Sequence, residues 1–117
     1  MRVDALSIVY PAGTRIAEGR KTLEIRSWLP PRLPLLNLLV VENHRRLDRE
    51  GDTDENALGV AWIDIFHVRP LTQEDAERDG NQFQPGYHAW EISNVRPIAH
   101  PFRIRAERGV YQVEVQR

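Results

Sequence analysis

The sequence predicts an α+β domain: a small mixed β-barrel of about five or six strands with two short helices. Three observations lead there. Short apolar runs, alternating or continuous, recur along the chain between Pro, Gly and charged stretches. Only two segments carry helix start and stop signals. The 117 residues contain no internal repeat and no linker, so they make one domain, long enough to bury a core.

Residues 5–10 read as the first strand. Pro11 ends it and is tolerated in the first turn of a helix. That helix, residues 11–18, contains Gly13 and has only Ala12 and Ile16 for an apolar face. Gly19 suits the left-handed position that closes it. Residues 21–28 then alternate: on a strand, Thr22, Glu24, Arg26 and Trp28 share one face, and Leu23 and Ile25 the other. Three prolines make residues 29–34 a loop or extended arm. Residues 35–43 are apolar on both faces, the pattern of a central strand buried on two sides. Residues 44–56 mix acids and bases in near balance, which suits a solvated loop. Residues 57–68 are the longest strand candidate, small at Gly59 and Ala61 and carrying Asp64 among apolar neighbours. For Asp64 we expect a structural role, capping a loop amide or pairing with an arginine. Thr72 as N-cap and Asp75 in the capping-box position start a second helix, which Gly80 and Asn81 stop. Residues 81–87 form a loop and 88–95 a strand. Pro97 and Pro101 are expected to break the next stretch, and residues 110–115 form the closing strand.

Composition excludes several functions. A net charge of −1 argues against bulk nucleic-acid binding, so any such contact comes from a local patch. With no cysteine there is no disulfide, no thiolate nucleophile and no Cys-based metal site, which fits a reducing compartment. No apolar run has transmembrane length, and the Met-Arg-Val-Asp start lacks the apolar stretch of a secretory signal. We therefore expect a cytoplasmic protein without a membrane partner. There is no Gly-rich phosphate loop, no His-Glu-x-x-His and no Gly-x-Ser-x-Gly. His44, His67, His88 and His100 lack ligand spacing, so neither a metal nor a cofactor is expected.

The chemistry concentrates in residues 21–28. A lysine beside a carboxylate carries a proton when burial lowers its pKa. An arginine forks onto phosphate or carboxylate, and a Trp or Tyr offers a base a stacking face. Three readings follow. In the first, a binding module holds a nucleotide or an unpaired RNA base, with Lys21 and Arg26 on phosphate or carbonyl oxygens and Trp28 or Tyr10 stacked on the base. In the second, a hydrolase uses Glu24 as base and Lys21 as electrostatic partner. In the third, Glu24 and Arg26 are a structural ion pair. The proline-rich arm and Trp28 leave room for a homodimer contact.

Gly19-x-Lys21-x-x-Glu24-x-Arg26 resembles the Gly-x-Lys-x-x-Glu-x-Arg motif of ASCH-domain proteins. The order of elements around it is also similar, including the helix that starts at Val68-Arg69-Pro70-Leu71-Thr72, over nearly the whole chain. The resemblance implies a PUA-like barrel with a cleft lined by the motif, and partners among RNA, nucleotides and modified nucleosides. Some members of that family remove the acyl group from N4-acetylcytidine, and others are ribonucleases. The amidohydrolase members use the motif Lys, a Thr three residues later and an acid from the helix after the long strand. Here Lys21 fits, Glu24 stands where that Thr would be, and the helix acid falls at Asp79, with Glu77 as alternative. The implied catalytic residues are Lys21, Glu24 and Asp79. The candidate ligand-binding residues on our reading are Arg26, Ser27, Trp28, Tyr10 and Pro11.

Overall fold

The structure, a computed structural model, describes residues 1–116. Its elements in chain order are β1 (Arg2–Val9), α1 (Ala12–Ala17), β2 (Leu23–Arg26), β3 (Leu35–Asn43), β4 (Thr53–Pro70), α2 (Gln73–Arg78), β5 (His88–Glu107) and β6 (Val110–Glu114). Six strands in the order β2-β5-β4-β3-β1-β6 make one sheet. It curls into a half-barrel, so the expected small α+β barrel with two short helices is what forms. The sheet is mixed: β1 runs parallel to β3, and the other pairs are antiparallel.

Alternation along the central strands divides the core in two. From β1 and β3, Leu6, Ile8, Leu38 and Val40 enter a cluster with Ile63, Ile65 and Trp90. Their neighbours Ala5, Leu39 and Val41 enter a second cluster with Ala57, Ala106 and Tyr111. From Leu38 onward the apolar run is thus buried on both faces, as its pattern predicts, whereas Leu36 and Asn37 near its start are exposed. Each fully buried Leu, Ile or Val stabilises the fold by about 1.5–3 kcal/mol relative to exposure.

The long strands β4 and β5 bend through register shifts. Here the sequence expectation fails: Pro97 and Pro101 do not break the chain into separate pieces. Phe102 lies opposite Gly59 and Pro97 opposite Ala61, so β5 carries extra residues between them, with Pro101 among these and Pro97 at their edge. A bulge leaves N–H positions outside the ladder, and prolines are tolerated there. The charged stretch is also shorter than expected, because β4 begins at Thr53.

Local signals hold at the helix ends. Thr72 and Asp75 form the reciprocal capping box that opens α2. Gly19, at φ 76°, closes α1 and turns the chain into β2. Pro11 occupies the N-cap of α1 without a side-chain cap of its own. The buried Glu42 of β3 substitutes, accepting bonds from Thr14 N at 2.6 Å and Thr14 Oγ1 at 2.8 Å. Asp64 has the structural role expected of it: Oδ1 accepts from Asn37 N at 2.9 Å and Oδ2 from Asn94 Nδ2 at 2.9 Å, with Arg96 beside both. Burial pushes the Asp64 carboxyl upward, but the bonds from Asn37, Asn94 and Arg96 together outweigh it and hold the group below its ordinary range. Among the described residues no helix is long and apolar enough to cross a membrane.

Candidate functional site

The sheet does not close. Its edge strands β2 and β6 are not hydrogen-bonded neighbours, and the gap lies beside β1, which β6 flanks. Along this gap runs a cavity of about 760 Å³, lined by residues of β1, β2, the two ends of the β5–β6 turn, and the loops after β3 and α2. That volume lies within the range of about 300–1,000 Å³ typical of small-molecule sites.

β2 sets the floor. Leu23 and Ile25 turn outward into a small apolar cluster with Leu71 and Ala76, beneath α2. Glu24 faces the barrel interior opposite Trp90, and Arg26 lies two residues on along the same face. The charged face of this segment is therefore the inner one, at the barrel mouth. Lys21 reaches it from the turn before the strand, where Lys21 N and Arg20 N both bond to Arg15 O at the end of α1.

These side chains form one row of alternating charge. Lys21 Nζ donates to Asp79 Oδ2 at 2.7 Å and lies 3.9 Å from Glu24 Oε1. Arg26 donates twice to Glu24 Oε2, from Nε at 3.0 Å and from Nη2 at 2.7 Å. Arg26 Nη2 also donates to Ser7 O at 2.9 Å, which stitches β2 to β1 across the gap. The Lys21, Glu24 and Asp79 side chains are each 7–8% exposed. Asp79 is the C-cap residue of α2 and also accepts from Asn81 Nδ2 at 2.7 Å. The alternative acid, Glu77, lies exposed on the far side of that turn, bonded to Gln73.

The row presents both hydrogen-bonding senses. Glu24 Oε2 is saturated by Arg26, but among the described residues Oε1 has no close donor beyond the ammonium at 3.9 Å. The ammonium has N–H groups beyond the one given to Asp79. An acceptor and a donor thus stand side by side at the cavity floor. Trp28 forms a wall, edge-on to the buried Trp90 at 5.1 Å and with the Arg26 guanidinium 5.5 Å from its ring centroid.

Most of the residues singled out in the sequence meet here. Lys21, Glu24, Arg26, Ser27 and Trp28 line the cavity, and Asp79 backs it through Lys21. Tyr10 and Pro11 do not line it, although their neighbours Val9 and Ala12 do. The Tyr10 ring is half exposed and stacks on His44 at 4.8 Å. Sequence reasoning missed Asn43, Arg46, Gln82, Gln84 and Arg108, which come to the cavity from three other segments. One signal was available for Asn43, a polar residue ending an apolar strand. It is 1% exposed, its Nδ2 donates to Arg45 O, and its Oδ1 has no partner among the described residues.

Comparison with known proteins accords with the motif. A search of curated proteins finds no match to this chain. The family model described as the ASCH domain matches residues 6–102, a span that runs from β1 into β5 and contains the whole charged row, Asp79 included. ASCH domains have a PUA-like fold of the RNA-binding type. With most of its length matched, from the first strand through the motif and α2, this chain belongs to the ASCH domain family.

Proposed function

We propose that the protein is a binding module whose cavity holds the base of a nucleotide or of an unpaired RNA residue. The observation that carries this reading is the row Asp79–Lys21–Glu24–Arg26, nearly buried on the floor of an open cavity beside Trp28. A base edge carries donors and acceptors side by side, and the Lys21 ammonium and Glu24 Oε1 answer such a pair. Trp28 supplies the flat apolar wall against which a base lies. Because the row is neutral as a whole, it favours a polar, planar group over an isolated anion.

Calorimetric titration with the four common nucleosides and their monophosphates, followed by Glu24→Gln and Trp28→Ala, tests this. Wild type is expected to bind at least one base in preference to the others. Glu24→Gln weakens that preference by about tenfold, the worth of one charged hydrogen bond. Absence of base preference in the wild type overturns the reading.

A second reading, hydrolysis of an N4-acylated cytidine, is favoured by one contact: the motif lysine meets the helix acid at 2.7 Å. In that scheme Glu24 Oε1 takes a proton from water as its oxygen adds to the acyl carbonyl, and Lys21 stabilises the oxyanion. Collapse breaks the C–N bond, and the proton passes from Glu24 to the leaving exocyclic nitrogen. The products are a carboxylic acid and the free amine. Release of cytidine from N4-acetylcytidine, lost in Glu24→Gln with binding retained, would replace the binding reading with this one.

A further inference from the structure

The neutral floor leaves a positive rim. Of the charged residues lining the cavity, Lys21, Glu24 and Arg26 belong to the row that Asp79 completes, and Glu107 is paired with Arg105 at 2.6 Å. Arg46 and Arg108 remain. Arg108 is exposed and has no acidic partner among the described residues. Among the described residues Arg46 meets only Asp48, 3.1 Å away, with both side chains largely in water, where such a pair contributes little.

Both guanidinium groups ride on anchored backbone. Arg46 follows Arg45, whose carbonyl accepts from buried Asn43 and whose own guanidinium donates to Thr53 O. Arg108 sits on the turn between β5 and β6. Ser7 Oγ donates to Glu107 O on one side of that turn, and Tyr111 OH donates to Arg105 O at 2.7 Å. The next residue, Gly109, lies against the edge of Trp28: a Cβ added there would be 4.0 Å from Cη2. The turn therefore brings Arg108 next to the wall proposed to hold the base. The cavity, about 760 Å³, is also larger than one planar base requires.

We propose that Arg46 and Arg108 form a phosphate clamp, and that the occupant is a nucleoside monophosphate rather than a free nucleoside. The inference rests on the base-binding reading. A guanidinium presents two parallel N–H groups to phosphate oxygens, and two from separate loops embrace a dianion. The clamp draws on a local charge excess that the near-zero net charge of the chain conceals.

The test is calorimetric titration of wild type and of the double variant Arg46→Gln/Arg108→Gln, at low and high salt. The ligands are nucleosides, their 5′-monophosphates, ribose 5-phosphate and a short single-stranded oligonucleotide. Both arginines are at the surface, so the variant keeps the fold, checked by circular dichroism. The expected result is a monophosphate bound at least about tenfold more tightly than its nucleoside at low salt. The advantage shrinks with salt and disappears in the double variant. Equal affinity for nucleoside and monophosphate overturns the clamp and leaves the base reading standing. Arginine-dependent binding of ribose 5-phosphate, as tight as that of any monophosphate and insensitive to Glu24→Gln, keeps the clamp and overturns the base reading. Binding of the oligonucleotide without any monophosphate overturns the mononucleotide assignment in favour of RNA.

Discussion

Lys21→Met tests whether the charged row is as desolvated as its geometry requires. The ammonium is the cation nearest Asp79, at 2.7 Å, and the side chains of both are less than a tenth exposed. Removing it leaves Asp79 with only the Asn81 amide and Glu24 with only Arg26. Breaking a buried pair by deleting one partner costs about 3–5 kcal/mol. The open cavity beside the row lets water reach the stranded carboxylate, so the lower end, about 3 kcal/mol, is the expected loss. For 117 residues, an unfolding entropy of about 2.1 cal/mol/K per residue converts this to a fall of about 12 °C in Tm. Asp79→Asn alone is milder, because Lys21 keeps Glu24 at 3.9 Å. The double variant Lys21→Met/Asp79→Asn removes both charges and is expected to be more stable than the sum of the singles predicts, by about 1–3 kcal/mol. Urea unfolding followed by tryptophan fluorescence, to which Trp28 and Trp90 close to the row contribute beside Trp62, provides the free energies. Strict additivity, or a loss below about 1 kcal/mol for Lys21→Met, would refute the claim that these charges are held out of water.

Three further outcomes concern the scaffold. The Arg69 guanidinium, bonded to both Asp75 oxygens, and the Thr72 amide hold the Asp75 carboxyl well below the usual range against the effect of burial. A carboxylate whose folded pKa is lowered stabilises the protein fully above its unfolded value of about 4, and loses that contribution as pH falls below it. Asp75→Asn is therefore expected to cost stability at pH 7 and to cost progressively less as pH falls below about 4, measured by urea unfolding between about pH 7 and pH 2. Burial pushes the Tyr111 phenol up to about 12, only partly offset by its hydrogen bonds. Stability should hold below pH 10, where the unfolded phenol ionises, and decline between about 10 and 12; absorbance at 295 nm should show a tyrosine step near 12 that Tyr111→Phe removes. Gly13→Ala adds helix propensity worth up to about 1 kcal/mol. Its Cβ, however, would stand 2.9 Å from Glu42 Oε2 and 3.0 Å from Glu42 Cβ, in the contact that caps α1. A net loss of about 1–2 kcal/mol is expected by urea unfolding, and a gain would show that Glu42 moves aside freely.

What was legible in the sequence followed from short-range rules. Alternation placed Leu38 and Val40 in one cluster and Leu39 and Val41 in the other. The Thr72–Asp75 box and Gly19 marked helix ends because caps and left-handed turns are local requirements. The pairing of Asp64 was legible because a buried carboxylate needs donors. Pro97 and Pro101 misled because the rule against proline in a ladder is local, whereas the bulge that accommodates them depends on β4. Tyr10 misled for a similar reason: proximity to the motif says nothing about His44, on which its ring stacks. Arg46 and Arg108 carried no sequence signal at all. They are 62 positions apart, in a charged loop and a tight turn, and meet the motif only because the sheet curls.

The structural ion pair and the cavity floor are not competing accounts of residues 21–28. Arg26 does both things: it neutralises Glu24 and ties β2 to Ser7 O across an edge where no backbone ladder forms. An apolar row of similar volume would stabilise that seam at least as well, since desolvating charges offsets most of their attraction. Stability alone therefore gives no reason for Lys21, Glu24 and Asp79 to be charged. A reason appears once the seam is also the bottom of an open cavity, because a leucine or methionine there presents nothing to a polar edge. The half-closed sheet supplies the opening, the alternating charges keep it neutral enough to fold, and the bonding capacity left over at Lys21 and Glu24 Oε1 lies at the cavity floor.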